Sequence, residues 1–266
     1  MIDLHSHILP GLDDGVRTLE ESVELAREAA AGGVEAIAAT PHVRRDFPTS
    51  ADGMEAALRE VQDAVAAAGI AIRVLAGGEL ALEQLGQRDP GELRRFGLGG
   101  NPAYLLVETP YHGWPLDVED RFFRLRAAGI TPVLAHPERN ADVRSDLERV
   151  RRLVRAGTLV QVTASSLDGR GGRRARETAL ELVREGLVHL VASDLEDPLV
   201  VIGEEEPLHL AGALRVDPFT HEQRRRILSQ RGSPHRRGNS RFVTPIRNEL
   251  SGETRDSSAT TLTPDP

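Results

Sequence analysis

The sequence predicts an α/β protein built on a parallel β-sheet, and one repeated pattern carries most of that prediction. Five segments share the same order: a helical run rich in Ala or Arg, a glycine, an apolar run typical of a strand, and then polar residues. These segments read AAAGGVEAIAATPH, AVAAAGIAIRVLAGGE, RLRAAGITPVLAHPER, RLVRAGTLVQVTASS and LVREGLVHLVASD. Strands that alternate with helices form parallel sheets, either closed into a barrel or left open, and the repeat alone does not decide between the two.

The residue types within the repeat predict where strands and helices lie. The Val, Ile and Leu runs do not alternate with polar residues, which is typical of strands buried on both faces. Together with residues 2–4 and 104–107 they give about seven strands. The glycine of each segment suits the left-handed residue that ends a helix. Thr18 and Glu21 stand at the spacing of a capping box, which predicts the start of the first helix.

The composition excludes several classes of function. With 266 residues and 39% hydrophobic residues, the chain can bury a substantial core, as one large domain or two small ones. It contains no cysteine, so disulfides, thiolate metal sites and cysteine nucleophiles are excluded. A net charge of −8 argues against a general nucleic-acid-binding protein. We find neither an apolar stretch long enough to span a membrane nor a signal-peptide pattern, so a cytoplasmic protein is expected.

Potential metal ligands stand at the ends of the predicted strands. His5 and His7 are one residue apart, so in an extended chain they point the same way. The other candidates are His42, Glu79, Glu108, His136 and Asp194. For any single one, a helix cap or a loop residue is the commoner explanation. In parallel α/β folds, however, the C-terminal strand ends meet on one face, so their agreement predicts a multinuclear metal site.

Such a site would suit the hydrolysis of phosphate esters. Neighbouring divalent ions lower the pKa of a bound water and hold an anionic substrate for in-line attack, and Glu79 has two oxygens that can bridge two ions. Arg139 follows His136 by three residues and can bind a phosphoryl group with two parallel hydrogen bonds. A salt bridge with Glu138 or another nearby acid explains Arg139 equally well. A GxxxxGK[ST] loop is missing, which argues against a kinase or a nucleotide-driven motor.

The motifs DLHSHILPGLDDG, ATPH, GGE, LVETP, LAHPERN and VASD, spread from residue 3 to residue 194, resemble the PHP (polymerase and histidinol phosphatase) superfamily. More narrowly, the chain is similar to the bacterial manganese-dependent tyrosine-protein phosphatases that are encoded with capsule and exopolysaccharide genes. The resemblance implies a distorted (β/α)7 TIM-like barrel, the PHP fold. It also implies three metal ions at the C-terminal mouth, with Mn2+ expected and Fe or Zn as alternatives.

The resemblance also implies a role for each motif residue. One ion would be held by His5, His7, Glu79 and Asp194, and a neighbouring ion by Glu79, Glu108 and His136. The third ion would take Asp14, His42 and a histidine two residues after Asp194, where this chain has Glu196. Arg139 matches the phosphate-binding arginine. The implied substrate is phosphotyrosine on a bacterial tyrosine kinase that regulates polysaccharide export, attacked by a metal-bridging hydroxide without a cysteine phosphoenzyme.

The chain departs from the family pattern at its C-terminal side. Glu196 replaces the expected histidine, so the third site is weakened, altered in metal preference or empty. We expect the barrel over residues 1–198, a divergent part over 199–228 and a disordered tail over 229–266, where Ser, Thr, Gly, Pro and Arg dominate. Two alternatives follow: a PHP phosphatase for a small ester such as histidinol phosphate, and a catalytically impaired PHP binding protein. The oligomeric state does not follow from the sequence.

Other distinctive residues allow two explanations each. Asp13 and Asp14 in LDDG suit a turn, and the resemblance raises Asp14 alone to a ligand. Aromatic side chains just past Glu108, at Tyr111 and Trp114, would either line the substrate entrance or pack the loop; the same holds for His112. We interpret His189 as a residue of the barrel wall.

Overall fold

The computed structural model describes residues 1–194, which form a curled parallel sheet with helices packed around it. The strands are β1 (Ile2–Ser6), β2 (Ala36–Ala39), β3 (His42–Val43), β4 (Arg73–Leu75), β5 (Glu79–Ala81), β6 (Tyr104–Glu108), β7 (Thr131–Leu134), β8 (Leu159–Thr163) and β9 (Leu190–Ala192). The predictions for residues 199–228, for residues 229–266 and for Glu196 lie outside the described residues.

Eight α-helices lie within the described part of the chain. They are α1 (Leu19–Ala31), α2 (Ala51–Ala67), α3 (Pro90–Arg95), α4 (Val118–Ala127), α5 (Ala141–Ser145), α6 (Glu148–Arg155), α7 (Ala164–Asp168) and α8 (Arg173–Arg184). Short 3-10 helices cover Leu82–Gly86, Leu98–Gly100 and Pro137–Arg139. Among the described helices, none combines the length and the apolar character that crossing a bilayer requires.

The strands are hydrogen-bonded in two sets, β1-β2-β4 and β3-β5-β6-β7-β8-β9, and every pair is parallel. The chain itself joins the two sets, because β2 leads into β3 through residues 40–41 and β4 leads into β5 through residues 76–78. The last strand meets the first, where Asp194 N donates to His5 O over 2.9 Å. The parallel sheet and its curled, barrel-like course therefore confirm the predicted fold class.

The nine short strands correspond to the seven predicted ones, because two of the seven are interrupted. Pro41 lies between β2 and β3, and the Gly77-Gly78 pair lies between β4 and β5. Proline cannot donate to a sheet ladder, and glycine weakens a strand, so both are natural places for a break. As a consequence, His42 and Glu79 each begin a new short strand, whereas the sequence predicted that they would follow one.

The helix ends agree with the predicted signals. Thr18 caps α1, its side chain accepting a hydrogen bond from Glu21 N while the Glu21 side chain reaches back to the cap backbone, so the capping box is confirmed. A glycine with positive φ follows the helix in each of the five repeated segments: Gly33, Gly69, Gly129, Gly157 and Gly186. These glycines turn the chain from each helix toward the next strand.

Two apolar clusters hold the sheet and the helices together. The larger contains helix residues such as Leu25, Met54, Phe122 and Leu182 together with strand residues, so it packs the helices against the outer face of the sheet. The smaller is formed by strand residues with a few neighbours: Ile2, Leu4, Ala36, Ala38, Leu98, Leu106, Val133, Ala135 and Leu190. Because it lacks residues of the α-helices, we place it on the concave inner face of the curled sheet.

Candidate metal centre

Five side chains meet near the C-terminal ends of β1, β4, β7 and β9 and form what we term the inner cluster: His5, His7, Glu79, His136 and Asp194. Glu79 lies at its middle. Its Oε2 is 3.3 Å from His5 Nε2 and 3.6 Å from His7 Nε2, and its Oε1 is 2.8 Å from His136 Nε2. One buried carboxylate thus faces three imidazoles of this cluster.

Asp194, which lies just after β9 and far from the other ligands in sequence, completes the inner cluster. Its Oδ1 lies 3.1 Å from His5 Nε2 and 3.3 Å from His7 Nε2. The backbones of Asp194 and His136 have positive φ, 56° and 28° respectively, which is uncommon for residues other than glycine. Backbone in such a region costs about 1 to 3 kcal/mol and is concentrated at functional sites, so the fold sustains two strained positions in order to aim these two side chains.

Several polar atoms of the inner cluster and of the neighbouring His42 are buried without a hydrogen bond within the described residues. They are His5 Nε2, His7 Nε2, His42 Nδ1 and Glu79 Oε2. The spacing between these nitrogens and carboxylate oxygens, 3.0 to 3.6 Å, is that of two ligands held about 2.1 Å from one ion. Buried polar groups are normally satisfied, so the donor set fits divalent metal ions.

Burial and charge compete in the inner cluster. Burial alone would raise the pKa of Glu79, but the surrounding imidazoles, His5 and His136 foremost, hold it well below its usual range. Burial likewise opposes a charged His136, yet its contact with Glu79 raises the pKa of His136 to about 9. The pKa of Asp194 is lowered for the same reason. Both carboxylates are therefore ionised, which is the form that binds a cation.

Three further predicted ligands form what we term the outer cluster: Asp14, His42 and Glu108. His42 Nδ1 lies 3.0 Å from Glu79 Oε2, which makes it the fourth imidazole around that carboxylate, and its Nε2 lies 3.5 Å from Asp14 Oδ1. Glu108 is farther away, with Oε2 3.8 Å from His42 Nδ1. Burial, followed by the charge of Glu79, raises the pKa of Glu108. The Asp14 side chain is 47% exposed, in contrast to the inner ligands.

Arg139 reaches the centre from the 3-10 helix Pro137–Arg139. Its Nη1 lies 2.7 Å from Asp194 Oδ2, so the ion pair itself draws the guanidinium to the ligands. The ring centroid of Tyr111 is 6.0 Å from that of His136, and burial raises the pKa of Tyr111 to about 12. Trp114 belongs to the large apolar cluster. Of the two aromatic residues predicted past Glu108, Tyr111 thus lies beside the site and Trp114 packs the loop; Phe47, which sequence analysis did not assign, stacks on His42 with the ring centroids 6.0 Å apart.

Two residues that sequence analysis did not assign hold the histidines in place. Gln161 Oε1 is 3.1 Å from His5 Nδ1 and also accepts a hydrogen bond from His136 N. Asp13 Oδ2 is 2.7 Å from His7 Nδ1 and accepts from His42 N over 2.8 Å. Partners of this kind fix the orientation of ligating imidazoles. The signal for Gln161 was available, because it is the polar residue within the apolar run LVQVT.

Two other residues act at the edges of the site. Asp3 accepts hydrogen bonds from the Ser193 hydroxyl and from Ser193 N, and so fixes β1 to the residue before Asp194. Arg44 lies beside the outer cluster, with Nη2 3.5 Å from Asp14 Oδ2 and Nη1 3.8 Å from Glu108 Oε2. No local pattern in the sequence distinguished Arg44.

His189 is buried away from the cluster, and its Nδ1 accepts a hydrogen bond from Val160 N, in keeping with a structural role.

Comparison with known proteins agrees with this geometry. A family model described as capsular polysaccharide synthesis, CpsB/CapC, matches residues 1–198. Tyrosine-protein phosphatase YwqE of Bacillus subtilis strain 168 is 36% identical over 202 residues, which are 73% of this chain and 76% of YwqE. Tyrosine-protein phosphatase CpsB of Streptococcus agalactiae serotype III, strain NEM316, is 32% identical over 208 residues, 74% of this chain and 83% of CpsB.

A solved structure supports the same relationship. It is described as YwqE from Bacillus subtilis and CpsB from Streptococcus pneumoniae, metal-dependent tyrosine phosphatases. It superposes with a TM-score of 0.76 at 30% identity and covers 87% of this chain and 96% of its own. The resemblance inferred from the sequence motifs is therefore confirmed, and the chain belongs to the CpsB/CapC family of capsular polysaccharide synthesis.

Proposed function

We propose that this protein is a metal-dependent phosphatase that hydrolyses phosphotyrosine on a protein. The observation that carries the proposal is Glu79, a fully buried carboxylate that faces the imidazoles of His5, His7, His42 and His136. Its Oε2 lacks a hydrogen bond within the described residues. The names of the relatives, tyrosine-protein phosphatases, support the substrate class.

We propose the following distribution of ligands. His5, His7, Glu79 and Asp194 hold one ion, while Glu79, Glu108 and His136 hold its neighbour. Asp14 and His42 contribute to a third, with Glu196 in the position where relatives are expected to have histidine. The donors are all nitrogen and oxygen, which suits Mn2+, with Fe or Zn as alternatives. When bound, such ions supply an activated water and neutralise the charge of a phosphate ester.

The side chains of the protein bind and orient the substrate. Arg139 is 24% exposed and contacts Asp194 and the Tyr111 hydroxyl, and the guanidinium has five N–H donors, so donors beyond those two contacts can bind a phosphoryl oxygen beside the ligands. Tyr111 flanks His136 and provides an aromatic face against which the phosphotyrosine ring stacks. Asp13 and Gln161 keep the imidazoles in one orientation. Burial of the inner cluster excludes bulk water and strengthens these electrostatic interactions.

The substrate that we propose is a bacterial tyrosine kinase that regulates capsular or exopolysaccharide synthesis. The capsule connection is supported by the family description. Kinases form phosphotyrosine from ATP inside the cell, so we propose that the reaction takes place in the cytoplasm. The kinase is identified by treating phosphoproteins of the native host with the Mn2+-loaded full chain or with inactive Glu79→Gln, and finding by mass spectrometry which phosphotyrosines only the wild type removes.

Hydrolysis and metal content together test the proposal. The purified full chain, loaded with Mn2+, is assayed on a phosphotyrosine peptide and on histidinol phosphate, and bound metal is counted by elemental analysis. We expect a higher kcat/KM on the peptide and two or three bound ions. A preference for histidinol phosphate would instead support a small-ester phosphatase.

A variant at the divergent position separates an active enzyme from an impaired one. If Glu196 serves as a ligand, the wild-type chain is active and Glu196→His changes the hydrolysis rate and the metal content little. If instead the wild type shows no measurable hydrolysis and Glu196→His raises the rate strongly, the natural chain is a catalytically impaired relative.

A further inference from the structure

An open groove of about 780 Å³ lies next to the outer cluster. One wall is formed by Arg44, Arg45 and Pro48, which follow β3. The other wall includes Glu83, Gln87 and Arg88, which belong to the segment between β5 and α3. Its volume is in the range of pockets that hold drug-sized ligands, so it exceeds what a phosphoryl group and one aromatic ring would fill.

The groove is continuous with the metal centre through Arg44. The guanidinium of Arg44 lines the groove and also lies within 3.8 Å of Glu108 Oε2 and 3.5 Å of Asp14 Oδ2. The Arg44 guanidinium also lies 4.9 Å from the centre of the Phe47 ring, which holds it at this boundary. A substrate whose phosphoryl group lies over the ligands therefore has a path for its neighbouring atoms along the groove.

The arginines that line the groove differ in whether they have an acidic partner. Arg44 is surrounded by Asp14, Asp46 and Glu108, and Arg88 pairs with Glu92 over 3.0 Å. Arg45 is exposed and has no carboxylate at ion-pair distance among residues 1–194. Glu83 on the opposite wall is also exposed and has no cation at ion-pair distance among residues 1–194, so the cation that can pair with an incoming acidic group lies on the Arg45 wall alone. The exposed amide of Gln87 can both donate to and accept from a peptide backbone.

We infer that this groove binds the polypeptide that flanks the phosphotyrosine, and that Arg45 selects an acidic side chain in that flanking segment. The inference rests on the proposed phosphotyrosine phosphatase function. It adds the substrate class: a phosphorylated acidic segment of a protein, in place of a free small ester, which would leave the groove empty. Arg45 acts as a specificity residue that does not touch the metal ligands.

The test compares two phosphotyrosine peptides of equal length, one with glutamates and one with glutamines on both sides of the phosphotyrosine, together with p-nitrophenyl phosphate. Full-length Mn2+-loaded wild type is compared with Arg45→Glu. The matched control is Arg184→Glu, which makes the same charge change at an exposed position in the last turn of α8. Hydrolysis gives kcat/KM, and fluorescence polarisation gives peptide binding without turnover.

We expect the wild type to prefer the glutamate peptide and Arg45→Glu to lower kcat/KM for that peptide about 5-fold, the size of a lost exposed ion pair plus repulsion. The glutamine peptide, p-nitrophenyl phosphate and the control variant should change little. Equal losses on p-nitrophenyl phosphate, or equal rates on both peptides in the wild type, would overturn the inference. Binding that depends on Arg45 without any hydrolysis would support the groove and overturn the proposed function.

Discussion

The inner and outer clusters are built from the same residue types but are held in different ways. The side chains of His5, His7 and Glu79 are fully buried, and His5 and His7 each have a second partner that fixes the ring. Asp14, in the outer cluster, is 47% exposed and its carboxylate contacts His42 and Arg44 at 3.5 Å. The inner cluster is buried throughout, whereas the outer cluster combines two buried side chains, His42 and Glu108, with the exposed Asp14.

This difference has a physical consequence for metal binding. A buried, preoriented set of ligands loses little entropy when an ion binds, whereas an exposed carboxylate must first be ordered and stripped of water. We therefore expect the inner sites to bind metal more tightly than the outer site. In the proposed ligand set the outer site also takes Glu196 where relatives are expected to have histidine, which is a second reason, from the sequence, to expect weaker binding there. The following predictions test this contrast, beginning with the largest effect.

Removal of the central carboxylate should abolish the inner sites. Glu79→Gln keeps the shape but removes the charge that faces four imidazoles, so we expect the bound metal to fall to at most one ion and hydrolysis to fall more than about 100-fold. Elemental analysis and kcat measure the two effects. Glu181→Gln, an exposed glutamate on α8, is the control and should behave as wild type. Retention of full metal content by Glu79→Gln would contradict the proposed ligand set.

The neighbouring residues Asp13 and Asp14 act on the two clusters differently, because Asp13 contacts the ring of His7 but only the backbone of His42, whereas Asp14 contacts the ring of His42. Asp13→Asn weakens the partner of His7 Nδ1, so the affinity of the inner sites for Mn2+ should fall about 10- to 100-fold. Asp14→Asn should remove the outer ion and leave the inner affinity nearly unchanged. Calorimetric titration with Mn2+ distinguishes loss of affinity from loss of one site. The same titration curve for both variants would refute the distinction between the clusters.

A smaller effect is expected from a substitution at Gly15, which packs closely against His7 in the inner cluster. A Cβ at Gly15 would lie 2.5 Å from His7 O and closer still to the Cβ of His7. Because overpacking of this kind typically costs about 1 to 3 kcal/mol, Gly15→Ala should lower the free energy of unfolding by that amount and weaken Mn2+ binding. Gly32→Ala, with φ −73° and the nearest neighbour 3.4 Å away, is the control. Chemical denaturation with and without Mn2+ measures both.

The smallest effect at neutral pH concerns a histidine without carboxylate partners in the described structure. Burial lowers the pKa of His189 to about 4, whereas contact with Glu79 raises that of His136 to about 9. Between pH 6.5 and 4 the unfolded chain binds a proton at His189 that the folded chain does not, so stability falls as the pH falls. The contribution is about 2 kcal/mol between pH 7 and pH 5.

His189→Gln removes this titration and retains an acceptor for Val160 N. We therefore expect a flatter dependence of unfolding free energy on pH over this range than in the wild type. Urea denaturation at pH 7, 6 and 5 in the presence of a chelator measures the difference. Parallel curves for the two proteins would show that His189 is not held neutral in the fold.

Local signals account for what could be predicted. The capping box at Thr18 and the glycines after the helices depend on residues close in sequence, and the structure agrees with them. The strand breaks at Pro41 and Gly77-Gly78 were missed because the apolar runs continue up to them and the shape of the sheet decides where pairing stops. Arg44 and Arg45 were missed because their significance depends on a groove whose other wall comes from the segment before α3.

The sequence by itself determined the order of helices and strands, the family and the residues that stand at the strand ends, because each of these depends on a local pattern or an ordered motif. Only the tertiary structure decided how those residues are supported. His5 meets Gln161 across 156 residues of chain, and Asp3 meets Ser193 across 190. Contacts between distant segments depend on how the sheet curls, and a local pattern does not encode that curvature.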